Sequence, residues 1–279
     1  MNQLIVSRGE CGIPAIGFGT YKLDPGLGTE AVATALSVGY RHIDAAQLYD
    51  NEAEIGEALA ASGIPRQELF VATKVRADRN APDDFLRSVE RSLRDLRLDR
   101  VDLLLVHWPV FPKGLPATIE ALLKAARSGW ASFVGVSNFN RPQLREAQSV
   151  AGGTLATNQV EYHPFLDQTA MLAELRRQGM ILSAYSPLAR GRIAQDATIA
   201  EIAQRHGRSA GQIALRWLVQ QGDMVAVPKA SGVERMRANL AVFDFALSDA
   251  EMAAISALGS ARLRLVAPTG LSPSWDQEP

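Results

Sequence analysis

Short apolar segments alternate with longer segments of helical periodicity along this chain. Several of the short segments are almost continuously apolar, which is typical of strands buried on both faces of a parallel sheet. The predicted strands are 15–19, 41–45, 69–75, 102–107, 132–137, 156–161, 181–185 and 224–228. The predicted helices are 29–38, 52–61, 82–96, 116–128, 142–150, 169–178, 198–206, 210–220, 233–240 and 249–258.

Eight strand–helix units follow one another, and no segment rich in proline, glycine or serine divides the chain. This pattern favours one closed (β/α)8 TIM barrel, so we predict a single α/β domain over residues 1–279 with additional C-terminal helices. Residues 259–279 lack periodicity and are predicted to form a C-terminal loop. A Rossmann fold is disfavoured, because the glycine-rich segment 17–22 lacks a third glycine and is followed by loop-like residues.

Helix-start signals support this assignment at three places. Pro82 lies in the first turn of its helix, where proline is tolerated. Ser209 and Gln212 have the spacing of a capping box, and Ser248 is a candidate N-cap. These signals predict where the helices begin.

The charges almost cancel, with 29 Lys and Arg against 30 Asp and Glu, and no block of like charge forms a tail. This balance argues against a nucleic-acid partner. No apolar segment is long enough to span a membrane, and the N-terminus lacks the apolar region of a signal peptide. The single cysteine, Cys11, excludes an internal disulfide and is interpreted as a structural residue. We therefore predict a cytoplasmic protein without a membrane partner, and no metal site.

Polar residues follow the predicted strands at the carboxyl end, where barrels of this kind place their active sites. Strands two, three and four end in Asp44, Lys74 and His107, and Tyr49 follows Asp44 by five residues. A charged lysine that ends a buried strand requires a partner, and Asp44 lies on the neighbouring strand. The sequence therefore predicts that these side chains meet at one rim of the barrel.

Two interpretations of this group are open from spacing alone. Asp44 and Lys74 could form a structural ion pair beside a surface tyrosine. Alternatively, the ammonium would lower the tyrosine pKa from its ordinary value of about 10, so that Tyr49 could deliver a proton. The carboxylate would keep the lysine charged, and a histidine could hold the substrate oxygen. These residue types are suited to carbonyl reduction.

Sequence motifs over nearly the whole chain resemble the aldo-keto reductase family. The resemblance is to its small bacterial type, which includes diketogluconate and methylglyoxal reductases. The motifs are GFGTY (17–21), RHIDAAQLYDNEAEIG (41–56), ATKV (72–75), LLLVHWP (103–109), VGVSNF (134–139), NQVEYHP (158–164), AYSPL (184–188) and VPKASGVERMRANL (227–240).

The resemblance implies a catalytic tetrad of Asp44, Tyr49, Lys74 and His107. It also implies a nicotinamide cofactor extended across the barrel mouth, with Tyr185 stacked on the nicotinamide ring. The carboxamide of that ring would be held by Ser137, Asn138 and Gln159. The implied cofactor-binding residues are Gly19, Thr20, Tyr21, Asp44, Ser137, Asn138, Gln159, Tyr185, Ser186, Pro187, Leu188, Lys229, Ser231, Arg235 and Asn239.

The end of the last strand favours NADPH over NADH. Lys229 and Arg235 are two cations next to a helix N-terminus, a combination suited to a 2′-phosphate. The resemblance gives them that role and puts Asn239 near the adenine. Ala230 and Ala238 depart from the serine and glutamate that relatives often carry, and Ser231 could replace the missing hydroxyl. The predicted cofactor is NADPH, with a smaller margin over NADH than in such relatives.

Aromatic residues are predicted to surround the substrate pocket. Tyr21, His107, Trp108 and Trp275 are the candidate substrate-binding residues, with Phe111 at the same rim, although Trp275 could equally be a tail residue. Aromatic walls suit small, partly apolar carbonyl compounds, which include dicarbonyl and keto-sugar compounds. Such barrels often act as monomers, and we predict a monomer.

Two other function classes compete with carbonyl reduction. A lyase or aldolase would use Lys74 as a Schiff base, which requires a neutral amine, whereas Asp44 favours the charged form. A non-catalytic subunit could keep the cofactor site and bind a partner protein, but the intact tetrad argues against this. Carbonyl reduction is therefore the predicted activity.

Overall fold

Eight parallel strands form a barrel in the computed structural model, which describes residues 4–23 and 26–275. An antiparallel hairpin, β1 (Ile5–Arg8) and β2 (Cys11–Pro14), precedes them. The barrel strands are β3 (Phe18–Gly19), β4 (His42–Asp44), β5 (Phe70–Val75), β6 (Val101–Val106), β7 (Ala131–Ser137), β8 (Leu155–Glu161), β9 (Ile181–Tyr185) and β10 (Met224–Val227). Neighbouring strands in the sheet follow chain order from β3 to β10.

The first and last barrel strands meet and nearly close the sheet. Ile16 pairs in parallel with Ala226, and the Gly17 N–H donates to the Ala226 carbonyl at 2.8 Å. Two residues further along each strand, the Gly19 N–H donates to the Pro228 carbonyl at 3.0 Å. The predicted (β/α)8 barrel is confirmed.

Helices surround the barrel, and each predicted helix is present with ends within one residue of the prediction. They are α1 (Gly28–Val38), α2 (Glu52–Ala61), α3 (Pro82–Leu96), α4 (Leu115–Arg127), α5 (Arg141–Val150), α6 (Thr169–Arg177), α7 (Ala197–His206), α8 (Ala210–Gln220), α9 (Val233–Leu240) and α10 (Asp249–Ala257). Ser209 and Ser248 both cap their helices in complete capping boxes. Within the described residues, no helix combines the length and the apolarity that a membrane span requires.

Two apolar clusters explain why the strands are nearly continuously hydrophobic. On β6, Leu103 and Leu105 belong to a cluster inside the barrel, whereas Leu104 and Val106 belong to the larger cluster between strands and helices. Because successive side chains of a strand point to opposite faces, both faces of the barrel wall are buried. The strand pattern in the sequence therefore reflects the two-sided burial.

The N-terminal hairpin closes the interior cluster, and the sequence did not predict it. Cys11 and Ile13 of β2 are buried in that cluster, whereas β1 is half exposed. A four-residue strand with mixed polarity carries little periodicity, which is why the pattern did not identify the hairpin. Burial raises the pKa of the Cys11 thiol to about 12, so the thiol stays protonated at neutral pH, in agreement with a structural role.

Candidate active site

Four predicted side chains meet at the carboxyl end of the barrel. Asp44 is the last residue of β4, Lys74 lies near the end of β5, and His107 directly follows β6. Tyr49 ends a short 3₁₀ turn, Gln47–Tyr49, between β4 and α2. The Tyr49 ring makes an edge-to-face contact with His107, with 5.8 Å between ring centroids. The structure therefore brings together the group that the sequence predicts.

Lys74 is fully buried and donates hydrogen bonds to three oxygens. These are Asp44 Oδ1 at 2.6 Å, the Ala45 carbonyl at 2.8 Å and the Tyr49 hydroxyl at 3.3 Å. Burial opposes the charged form, but the Asp44 carboxylate and Tyr49 outweigh it and raise the pKa of Lys74 above its usual value. An ammonium has three N–H donors, so each donor has an acceptor. Lys74 is therefore a charged ammonium at neutral pH.

Both oxygens of the Asp44 carboxylate are engaged. Oδ1 accepts from Lys74, and Oδ2 accepts from Gln159 Nε2 at 2.7 Å. Gln159 lies on β8, so this bond crosses the barrel from β4. Buried ions are stable only when their remaining hydrogen-bonding capacity is satisfied. Gln159 therefore supports the ion pair, in addition to any role toward a cofactor.

The pKa of Tyr49 differs from the expectation drawn from the sequence. Burial raises the pKa of the phenol, and the Lys74 ammonium only partly opposes this effect, so the net shift is upward. The predicted lowering of the Tyr49 pKa was wrong, because it took the charge of Lys74 into account and not the burial of the ring. Tyr49 is therefore a neutral phenol with a proton to give.

His107 is a neutral imidazole in this environment. Burial and the nearby Lys74 charge lower its pKa well below the usual value. Its Nδ1 is buried without a hydrogen-bond partner among the described residues. Its backbone carbonyl accepts from Asn138 Nδ2 at 3.0 Å, and Trp108 stacks beside its ring. The imidazole is thus held by its backbone and by ring contacts.

A second polar cluster lies next to the tetrad, at the ends of β7, β8 and β9. Asn138 Nδ2 also donates to Ser137 Oγ at 3.1 Å, and Ser137 Oγ donates to the Gln159 carbonyl at 2.8 Å. The Tyr185 hydroxyl donates to Asn138 Oδ1 at 2.8 Å. Asn138 has a φ of 63°, a left-handed conformation that asparagine tolerates better than most residues. The three residues predicted to hold a carboxamide therefore lie together beneath Tyr185.

The cations predicted to hold a phosphate lie on the surface beyond β10. Lys229, Ser231 and Arg235 are exposed, and the Lys229 ammonium contacts the Lys22 carbonyl. Gly232, the N-cap of α9, offers no side chain to cap the first-turn N–H groups. Asn239, in contrast, is buried near Tyr40, whose hydroxyl donates to the Met236 carbonyl at 3.3 Å.

The remaining predicted cofactor residues line the mouth from two sides. Gly19 ends β3, Thr20 and Tyr21 follow it, and the Thr20 hydroxyl donates to the Asp44 carbonyl at 2.9 Å. Ser186, Pro187 and Leu188 follow β9 on the other side. Ser186 has a φ of 50°, so the chain turns sharply directly after Tyr185.

The predicted substrate residues occupy different environments. Tyr21 is exposed and packs against Tyr49, with 5.1 Å between ring centroids, whereas Trp108 is buried. Phe111 packs edge-to-face on the buried Phe139. Trp275 is half-buried, and the Arg264 guanidinium lies 3.7 Å from its ring centroid. Trp275 is therefore packed against the protein and not a free tail residue.

Sequence reasoning missed how the C-terminal segment is held in place. The fully buried Glu161 carboxylate, at the end of β8, accepts from the backbone N–H groups of Leu265 at 2.7 Å and Val266 at 2.9 Å. It also bonds His163 Nε2 at 3.0 Å. A glutamate in an apolar strand needs partners, so the signal was present in the sequence but did not identify them. Among residues 4–23 and 26–275, no three His, Cys, Asp or Glu side chains are grouped so that they could hold a metal ion.

Comparisons with known proteins agree with this geometry. The chain is 38% identical to methylglyoxal reductase DkgB of Escherichia coli O157:H7 over 268 residues, which cover 95% of this chain and 99% of that protein. A crystal structure provisionally named a 2,5-diketo-D-gluconic acid reductase B superposes with a TM-score of 0.96, at 46% identity, over 99% of this chain and 98% of that chain. The aldo-keto reductase of Bombyx mori in complex with NADP superposes with a TM-score of 0.88, at 30% identity, over 96% of each chain.

The similarity extends to more distant organisms and to the family as a whole. The chain is 38% identical to aldo-keto reductase family 1 member A1 of Rattus norvegicus over 280 residues, which cover 88% of this chain and 86% of that protein. The family model described as aldo/keto reductase matches residues 15–260, from the first barrel strand to the end of the last helix. The match thus includes every strand of the barrel and every residue of the tetrad, and this chain belongs to the aldo/keto reductase family of oxidoreductases.

Proposed function

We propose that this chain is an NADPH-dependent carbonyl reductase in which Tyr49 protonates the substrate oxygen. The observation that carries the proposal is the chain of contacts from the hydroxyl of the half-buried Tyr49 through Nζ of the buried Lys74 to the buried Asp44. It ends on a neutral phenol at the barrel mouth, supported by an ammonium and a carboxylate. A purely structural ion pair would not need a phenol as its third member.

The residues at the mouth fit a nicotinamide cofactor. The side chains of Asn138 and Ser137 can bond a carboxamide, and Tyr185 can stack on the ring. Gln159, whose Nε2 donates to Asp44, can offer its Oε1 to the same group. When bound, the cofactor supplies the hydride that the carbonyl carbon receives. On cofactor binding, the Tyr185 hydroxyl would give up its hydrogen bond to Asn138 Oδ1, because that oxygen would then accept from the carboxamide NH₂ group.

The surface beyond β10 fits the 2′-phosphate of NADPH. Lys229 and Arg235 are exposed cations, and α9 begins with N–H groups that no side chain caps. A helix N-terminus and fixed cations both favour an anion. Glu234 in the first turn of α9 opposes this charge preference, so the margin over NADH is expected to be modest.

Proton transfer follows from the charges in the tetrad. As hydride reaches the carbonyl carbon, negative charge develops on the oxygen, and the Tyr49 hydroxyl donates its proton there. The phenolate that remains is stabilised by the Lys74 ammonium, which contacts the hydroxyl at 3.3 Å. Positioned proton transfer of this kind typically contributes about 10²–10⁴-fold to the rate. Asp44 keeps Lys74 charged throughout.

His107 would orient the substrate oxygen as a hydrogen-bond donor. Its low pKa makes it neutral, and a neutral imidazole carries one N–H. Among residues 4–23 and 26–275 no acceptor bonds the buried Nδ1, so we place the proton on Nε2. A neutral donor leaves Tyr49 as the proton source. The charged state of Lys74 also argues against the Schiff-base alternative.

We propose small compounds with more than one carbonyl group as substrates. The names of two similar proteins, a methylglyoxal reductase and a 2,5-diketo-D-gluconic acid reductase, both denote such compounds. The aromatic side chains of Tyr21 and Trp108 next to the tetrad suit small, partly apolar molecules.

The direct test is NADPH oxidation by the purified chain with small aldehydes, ketones, α-dicarbonyls and keto-sugars, repeated with NADH. We expect turnover with NADPH on at least the α-dicarbonyl and keto-sugar groups, and a lower kcat/KM with NADH. No turnover on any compound would contradict the proposed function. Equal kinetics with both cofactors would contradict the role of Lys229 and Arg235.

A further inference from the structure

Gln47 connects the turn that carries Tyr49 to helix α3. It is the first residue of the 3₁₀ turn Gln47–Tyr49. Its Nε2 donates to Ser92 Oγ at 2.9 Å and to the Ser88 carbonyl at 3.1 Å, both on α3. The next residue, Leu48, is exposed, so it gives the turn little apolar anchoring. The side chain of Gln47 therefore supplies much of the attachment at this end of the turn.

The same side chain connects the turn to the strand that carries Lys74. Gln47 Oε1 accepts from the backbone N–H of Arg76 at 3.1 Å. Arg76 follows β5 directly and lies two residues after Lys74. The Gln47 side chain therefore links the turn that carries Tyr49 to the segment that directly follows the Lys74 strand.

A buried carboxylate extends this connection. Glu52, at the start of α2, accepts from Thr73 Oγ1 at 2.6 Å and from Ser92 Oγ at 3.0 Å. Thr73 directly precedes Lys74, and Ser92 accepts from Gln47. The Ser92 hydroxyl therefore donates to one partner and accepts from the other. A continuous set of hydrogen bonds joins the 3₁₀ turn, α3, α2 and β5.

We propose that Gln47 is a positioning residue that sets the distance between the Tyr49 hydroxyl and the Lys74 ammonium; this inference rests on the proposed function. Lys74 is already fixed by its shorter bonds to Asp44 and Ala45, so the 3.3 Å contact depends on where the turn holds Tyr49. At the other end of the turn, Asn51 Nδ2 bonds the Thr20 carbonyl at 2.9 Å. Gln47 fixes the position of the end of the turn that faces β5.

The electrostatic consequence of moving the turn is predictable in sign. The interaction between the ammonium and the phenolate weakens as their separation increases. Asp44 and Tyr21 act in the opposite direction on the Tyr49 pKa, but more weakly than Lys74. A longer separation from the ammonium would therefore stabilise the phenolate less, and the pKa of Tyr49 would rise further. Loss of Gln47 should therefore slow proton donation and move the ionisation of Tyr49 to higher pH. A residue that only stabilised the fold would change neither property.

A substitution at Gln47 is expected to leave a folded protein. Gln47, Glu52, Ser88 and Ser92 line a groove of about 490 Å³ on the outside of the barrel, between α3 and the turn. Water in this groove can replace hydrogen bonds to the Ser88 carbonyl and the Arg76 N–H.

Gln220→Leu is a matched control for Gln47→Leu. Like Gln47, Gln220 makes three side-chain hydrogen bonds: to the Leu247 carbonyl, from the Leu247 N–H and from Arg216. It lies at the last residue of α8, where the chain turns toward the amino end of β10. The control therefore removes the same number of bonds away from the barrel mouth.

The experiment compares kcat, NADPH affinity and the pH profile of reduction in both variants. We expect Gln47→Leu to lower kcat by about tenfold or more, as a misplaced reacting group does. NADPH affinity should stay within about twofold, and the alkaline limb of the profile should move to higher pH, whereas Gln220→Leu should change neither kcat nor the profile. Ser92→Ala removes the hydroxyl that bridges Gln47 and Glu52, and it should lower kcat and shift the pH profile in the same direction but by less.

Two outcomes would overturn the inference. One is that Gln47→Leu behaves like Gln220→Leu in both kcat and the pH profile. The other, if Gln47→Leu does not fold, is that Ser92→Ala keeps the wild-type kcat and profile. The Tyr49→Phe variant distinguishes a wrong role for Gln47 from a wrong proposed function. If Tyr49→Phe is inactive while Gln47→Leu has normal turnover, Tyr49 is the proton donor and Gln47 does not position it.

Discussion

At the residue scale, burial and charge act against each other on Tyr49. The sequence predicts which side chains meet, because three of them end neighbouring strands and the fourth follows within a short loop. It does not predict the sign of the Tyr49 pKa shift, since that sign depends on how far the ring is removed from water. It also did not identify Gln47, whose importance lies in contacts with residues distant along the chain.

The raised pKa of Tyr49 leads to a pH dependence of opposite sign in the two reaction directions. Reduction uses the protonated phenol, so turnover should stay constant through neutral pH and fall only on the alkaline side, as Tyr49 ionises. Oxidation of the alcohol product uses the phenolate, so it should increase with pH over the same range. Steady-state kinetics in both directions would measure this, and a decline of reduction centred near neutral pH would contradict it.

At the element scale, the helices were predictable and the hairpin was not. Long periodic segments with caps, such as those at Ser209 and Ser248, define helix ends from local interactions alone. The hairpin β1–β2 depends instead on its packing across the end of the barrel, which local pattern does not encode. Close helix contacts are also invisible in the sequence, and the contact between α2 and α3 at Gly56 is an example.

Gly56→Ala should destabilise the protein, although alanine is normally the better helix former. A Cβ at this position of α2 would lie 2.3 Å from the Asp95 carbonyl oxygen and 2.9 Å from the Leu96 Cα, both backbone atoms that cannot move independently. Overpacking of this kind typically costs about 1–3 kcal/mol. The measurement is the free energy of unfolding in denaturant.

Gly211→Ala in α8 is the matched control. Its Cβ would meet only Leu188 and Ser209 side-chain atoms at 3.7 Å or more, which is ordinary contact. Here alanine should stabilise by up to about 1 kcal/mol through its higher helix propensity. Equal effects of the two substitutions would show that propensity, and not the α2–α3 contact, decides the result.

At the scale of the whole molecule, the barrel mouth is bounded by segments from both ends of the chain. The first barrel strand closes against the last through Ile16 and Ala226. The C-terminal segment is held at β8 by Glu161 and continues to α5, where Asn140 Nδ2 donates to the Ser274 carbonyl at 2.9 Å. The C-terminal loop predicted over residues 259–279 is present at residues 262–275, after a 3₁₀ turn at Leu258–Ala261, and residues 276–279 lie outside the described part of the chain. Its attachment depends on a buried carboxylate far away in the chain.

Glu161→Gln should loosen the C-terminal segment without unfolding the barrel. An amide has one acceptor oxygen, so its NH₂ group would face an N–H of Leu265 or Val266 that now bonds a carboxylate oxygen. We expect faster amide hydrogen exchange at these residues and a higher KM for the carbonyl substrate. Glu174→Gln is the control, because that carboxylate is equally buried and multiply bonded on α6. Unchanged exchange at residues 265 and 266 would contradict the proposed attachment.

Proton donation by Tyr49 is tested most directly by the effect of Tyr49→Phe on turnover and on NADPH affinity, with Tyr162→Phe as control. Tyr162 is also a tyrosine with a hydrogen-bonded hydroxyl, which donates to Gln221 at 2.9 Å away from the tetrad. We predict that Tyr49→Phe lowers kcat for NADPH-dependent carbonyl reduction by about 10²-fold or more, with NADPH affinity unchanged, whereas Tyr162→Phe keeps wild-type turnover. Wild-type turnover in Tyr49→Phe would show that another group donates the proton.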